Sequence, residues 1–110
     1  MRLLIIAFLA LAALPAGAQY VVVSKAHEVA LTDLRLPGST GGTLSFKPCD
    51  TCEYRTVRVT AATRYEANGH ALELAEFRKQ LEAIRNPAEE TVTVLHHLRS
   101  DTIKAVRVRF

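Results

Sequence analysis

Past its first eighteen residues this chain has one stretch that repeats apolar side chains at helical spacing. Leu74, Phe77, Leu81 and Ile84 recur with Glu76, Arg78, Lys79 and Glu82 between them. That period predicts an amphipathic helix near 74–85. Glu73 and Glu76 at its start and Arg85 at its end suit the helix dipole, and Asn86-Pro87 is a stop. Around it the pattern has a period of two. A lone amphipathic helix must bury its stripe on something, and the surrounding segments offer only strands, so the fold class is α+β.

The alternating segments predict strands near 43–47, 54–61, 63–67, 90–97 and 102–109. Leu44 and Phe46 share one face of the first; Val57, Val59 and Ala61 share one face of the second. Asn68-Gly69 is the strongest short hairpin signal, because both residues accept positive φ at low cost. A two-residue loop there sets Tyr65 opposite Leu72 and Arg64 opposite Glu73. In the last strand Val106, Val108 and Phe110 lie on one face, with Arg107 and Arg109 on the other.

The N-terminus reads differently. Met1-Arg2, an apolar run from Leu3 to Leu14, Pro15 and Ala16-Gly17-Ala18 make the three parts of a secretory signal peptide over residues 1–18. Twelve helical residues reach about 18 Å, short of a hydrocarbon core of roughly 30 Å, so a transmembrane anchor is disfavoured. Cleavage leaves 92 residues from Gln19, enough for one small domain. Without Arg2 the balance is thirteen Lys and Arg against eleven Asp and Glu. A net charge of +2 is no polyanion-binding signature, which argues against nucleic acid as a partner. No second apolar run is long enough to span a membrane. Residues 19–42 alternate weakly and end in Pro37-Gly38-Ser39-Thr40-Gly41-Gly42, a loop composition. They read as an extended leader to a compact part spanning 43–110.

Three strands, a helix and two strands is the order of an OB-type barrel, mostly antiparallel, with the helix plugging one end. The strand from Val57 to Thr63, Tyr65, the Asn68-Gly69 turn and the closing Ala105-Val106-Arg107-Val108 resemble the small OB-like domains of uncharacterised bacterial exported proteins. The shared lead into the turn is Thr60-x-x-Thr63-x-Tyr65. The resemblance covers about half of the chain after the signal. It implies a fold and a periplasmic setting, brings no catalytic residues, and does not include the cysteine pair.

Few residues offer chemistry. Cys49-Asp50-Thr51-Cys52 pairs two thiols three apart, and an even cysteine count in an exported chain points to a disulfide. A thiol–disulfide oxidoreductase is the alternative. It needs a thiolate stabilised at a helix N-terminus, whereas strand-like sequence follows here and Asp50 opposes the anion. His27, His70, His96 and His97 have no zinc-site spacing relative to the cysteines. The adjacent pair would point to opposite faces of a strand. His96, in register with Val92 and Val94, reads as a partly buried, hydrogen-bonded core residue, and His70 as exposed. Neither a metal nor another cofactor is called for. Ser24, Ser39, Ser45 and Ser100 lie in no nucleophile-elbow setting, and no sequence spacing pairs them with a histidine. The remaining feature is an arginine face, Arg58, Arg107 and Arg109, with Tyr54 in matching register and Glu89-Glu90 diluting the charge. The expectation is an exported, non-catalytic binding domain of the bacterial envelope, its partner another envelope protein or an anionic envelope component.

Overall fold

The computed structural model describes residues 23–110, so the signal segment and its cleavage point lie outside the described residues. Along the described chain run β1 (Ser24–Ala30), β2 (Leu34–Arg35), β3 (Thr43–Phe46), β4 (Arg55–Arg58), β5 (Arg64–Ala67) and β6 (His70–Leu72). The helix α1 (Leu74–Glu82) follows, then β7 (Thr91–His97) and β8 (Thr102–Val108). Single 3₁₀ turns at Leu31–Asp33 and Pro87–Glu89 complete the set. Among the described residues no helix is long and apolar enough to cross a membrane.

One mixed sheet holds all eight strands in the order β1-β7-β8-β4-β3-β2, with β5 branching from β8 and carrying β6. Five pairings are antiparallel. Two are parallel, β4 and β5 both docking on β8. The hydrogen-bond ladder does not close, because β1 and β2 end the path without pairing to each other. They are nonetheless consecutive in the chain, separated only by the turn Leu31–Asp33. So short a turn keeps the end of β1 near the start of β2.

Two sequence expectations change here. The described part of the expected 19–42 leader, residues 23–42, belongs to the compact part: β1 pairs with β7 over seven consecutive residues, from Ser24↔His97 to Ala30↔Thr91. Val29 is fully buried against the core, and Leu31, Leu34 and Leu36 pack on it. The weak alternation reflects a strand that bends at the 3₁₀ turn, which shifts the inward phase between Val29 and Leu34. The second change concerns the segment 54–67, whose two strands share β8 as a parallel neighbour besides their antiparallel partners β3 and β6. Arg58 pairs with Thr102, and Arg64–Ala67 pair with Ala105–Val108, so β4 and β5 lie end to end along β8.

The jog between β4 and β5 is fastened by threonines. The Thr60 and Ala62 backbone N–H groups donate to Thr63 Oγ1 and Thr60 Oγ1 at 2.9 and 3.1 Å. Thr63 Oγ1 in turn donates to the Ile103 carbonyl at 2.6 Å in the interior. That carbonyl adjoins a β-bulge: Leu95 faces Ala105 while His96 faces Ile103, so Lys104 is the extra residue of β8.

The hairpin forms as its sequence dictates. Asn68 and Gly69 have φ of 51° and 85°, and Tyr65 faces Leu72. Arg64, however, meets Glu66 at 3.9 Å rather than Glu73. The helix ends sooner than its apolar period, at Glu82, with Ala83 as the C-cap. Leu74, Phe77 and Leu81 are buried, Phe77 completely, with its ring 5.4 Å from that of Tyr65. Ile84 beyond the cap is only half-buried.

Candidate functional site

On β3 and β4 the inward residues are Leu44, Phe46 and Val57, and period two turns their neighbours outward. The register stacks those outward residues in rows. Arg35 of β2 faces Ser45 of β3, and Ser45 faces Thr56 of β4. The Ser45 and Thr56 hydroxyls share a hydrogen bond of 2.9 Å. One row along, Thr43 faces Arg58. One row the other way stand Lys47 and Tyr54, on the residues that lead out of β3 and into β4. The Arg35 guanidinium lies 4.0 Å from the centre of the Tyr54 ring, and the Lys47 ammonium lies 5.8 Å from it. Tyr54 keeps 38% of its surface exposed.

This patch presents three cations, the hydroxyls of Thr43, Ser45 and Thr56, and an aromatic ring. Among the described residues the ion pairs are Arg64–Glu66, Arg107–Glu66 and His96–Asp101. None engages Arg35, Lys47 or Arg58. Their charge is therefore directed at solvent, and Tyr54 holds one guanidinium in place by a cation–π contact.

The three arginines singled out in the sequence do not assemble into one cluster. Arg58 belongs to this patch. Arg107 faces Glu66 and Thr93 in the sheet and is 3.5 Å from the Glu66 carboxylate. It is also five residues farther along β8 than Thr102, the partner of Arg58, or about 16 Å. Arg109 follows β8 beside the hairpin turn, where the Phe110 N–H donates to Asn68 Oδ1 at 2.9 Å. Arg35 and Lys47 take their place in the patch. The signal for Arg35 was present, since it alternates with Leu34 and Leu36, but it fell inside the segment read as a leader.

Cys49 and Cys52 form a disulfide in the loop between β3 and β4, and the Cys52 N–H donates to the Cys49 carbonyl at 3.1 Å, closing a β-turn. A strand follows this turn, so no helix N-terminus is directed at either sulfur.

The histidines divide by face. His70 is exposed. His97 accepts from the Ser100 N–H at 3.3 Å through Nδ1, which also lies 2.8 Å from Ser100 Oγ; that hydroxyl is 2.7 Å from Thr102 Oγ1. A serine does therefore meet a histidine, contrary to the sequence reading. The contact spans three residues of one exposed turn, and the ring serves as its fastening. His27 and His96 point inward. His96 is 1% exposed, with Nε2 at 2.7 Å from Asp101 Oδ1. His27 is 8% exposed, its ring 5.0 Å from Phe46. Burial holds the His27 pKa below the usual 6.5, and the charges of Lys25, His96 and Arg55 push in the same direction. Burial also raises the Tyr65 phenol above 10. Among the described residues no three His, Cys, Asp or Glu side chains gather as a metal cluster.

No protein-family model, curated protein or solved structure matches this chain. Its function must be read from its own residues.

Proposed function

We propose that this protein is a small exported, non-catalytic binding domain of the bacterial envelope, built on an OB-like barrel, and that the patch around Tyr54 takes an anionic envelope component. The single observation that carries the reading is the Arg35 guanidinium seated on Tyr54, flanked by Lys47 and Arg58, with no carboxylate on any of the three.

The wiring supports the OB-like reading. With β1 and β2 counted as one bent strand, and β4 and β5 as one jogged strand, the chain runs through three strands, a helix and two strands. The ends of the open path are then the two halves of the first strand, as in a partly open five-strand barrel. In OB folds the face of strands two and three binds oligosaccharides and oligonucleotides. Here those strands are β3 and β4, which carry the patch. An exported chain meets anionic glycans and lipid headgroups far more than nucleic acid. The disulfide supports an oxidising compartment such as the periplasm. The thiol–disulfide alternative has less support, because its thiolate would have no helix dipole and would lie beside Asp50.

The test is co-sedimentation of the purified protein with bacterial envelope fractions across a salt series. The expected result is salt-sensitive binding that falls at least tenfold in an Arg35→Ala, Arg58→Ala double variant and little in Arg107→Ala. Undiminished binding by the double variant refutes the patch. A full-length chain retained in the cytoplasm, instead of a product starting at Gln19, refutes export.

A further inference from the structure

Among the described residues three buried side-chain atoms have no hydrogen-bond partner: Tyr65 Oη, His27 Nε2 and His96 Nδ1. The two nitrogens belong to neighbouring rings. His27 faces Val94 across the β1–β7 ladder and His96 faces Lys25, so the histidines are diagonal neighbours on the inner face. Their ring centres are 6.4 Å apart. A buried imidazole nitrogen without a partner has a real cost, of about 1–3 kcal/mol. Two of them side by side suggest a shared ligand.

We propose that His27 and His96 are the two ligands of a buried, two-coordinate copper(I) ion, with Asp101 as the positioning residue. The geometry fits. A metal–nitrogen bond of about 2.0 Å on each side, added to the half-width of each ring, sets the centres about 6 Å apart when two imidazoles meet one ion head-on. Asp101 supplies the outer-shell contact common to metal-binding histidines, a carboxylate on the far ring nitrogen. With the His96 proton on Nε2 and held by Asp101, Nδ1 presents its lone pair.

The choice of ion follows from donor number and charge. Zinc takes four ligands, which two nitrogens beside Phe46 cannot supply without bringing water into the core. Copper(I), a closed-shell monovalent ion, is satisfied by two nitrogens in line. The charges of Lys25 and Arg55 bear on the His27 ring, and they oppose a divalent ion twice as strongly as a monovalent one. One carboxylate, Asp101, offsets one positive charge.

Untagged full-length protein as exported is titrated with copper(I) under anaerobic conditions, against the chromogenic chelator bicinchoninate. The expected result is one equivalent held per chain, lost in His27→Phe and in His96→Phe, and kept in a Cys49→Ala, Cys52→Ala variant. Asp101→Asn is expected to weaken binding about 10–100-fold. X-ray absorption of the loaded protein is expected to show two nitrogen neighbours and no sulfur. If either phenylalanine variant fails to fold, imidazole NMR of the unaltered protein decides: one equivalent shifts His27 and His96 and leaves His70 and His97 in place. Failure of the unaltered protein to compete with the chelator, sulfur in the coordination shell, or binding that survives in folded histidine variants overturns the proposal.

Discussion

Replacing Thr63 with valine keeps the shape of a buried side chain and removes one oxygen, which makes it a sharp test of how the β4–β5 jog is held. Thr63 Oγ1 donates to the Ile103 carbonyl and accepts the Thr60 N–H. Without it the carbonyl next to the bulge and that N–H both lose a partner. An orphaned group of this kind costs about 1–3 kcal/mol, and Thr60 is partly reached by solvent, so the sum is about 2–4 kcal/mol. Thr63→Ser is the control, since it keeps both hydrogen bonds and gives up one methyl, about 0.8 kcal/mol. The assay is urea denaturation followed by circular dichroism, with m unchanged so that midpoints report stability. In thermal melts each 1 kcal/mol corresponds to roughly 4–8 °C for a domain this small. Valine must be worse than serine. If valine proves neutral, or better than serine, Thr63 acts by packing alone and the account of the jog is wrong.

Phe77→Ala empties the centre of the helix–sheet contact and is expected to cost about 3–5 kcal/mol; an unmoved denaturation midpoint would mean α1 is not docked through this ring. Cys49→Ser with Cys52→Ser opens a loop of a few residues and is expected to cost at most about 2 kcal/mol, with envelope binding intact and no free thiol in the denatured parent protein. Disulfide-exchange turnover above that of free glutathione would instead promote the redox reading. The copper-free protein is expected to lose stability in acid through His27. Its folded-state pKa lies below 6.5, so the folded protein binds the proton less readily than the unfolded chain. The contribution is therefore complete above pH 6.5 and drains away as pH falls from there through the lowered value. His27→Phe is expected to flatten that slope, and an unchanged slope would exclude His27 as its source.

Much of the fold was legible because short-range rules governed it. Asn68-Gly69 set the hairpin and its register, and the spacing of Leu74, Phe77 and Leu81 set the helix face. What failed to show was long-range. Ser24-Lys25-Ala26-His27 is polar or small, because one face of β1 is solvated and the other buries a histidine rather than an aliphatic side chain. Nothing local reveals that its partner is β7, more than sixty residues away. Six strands precede the helix where three were expected: β1 and β2 lay hidden in the supposed leader, and β6 follows the hairpin turn. The site suffered accordingly. Arg58 was recognisable from its alternation, but Arg107 was grouped with it on phase alone. Phase gives the face of a strand and not the position along it, and Glu66 was invisible as the competitor for Arg107.

The pairing of the first strand with the seventh also governs the order in which this protein can be made. As the chain emerges during synthesis, β1 appears first and then waits through the hairpins and the helix before its partner exists. Ser24–Ala30 cannot dock until Thr91–His97 arrives, and the turn Leu31–Asp33 then has to swing the finished β2–β3–β4 side around to meet it. Closure of so long a loop makes folding a late, all-at-once event, slow for a domain of this size. Until that moment the edge of β1 stays unpaired.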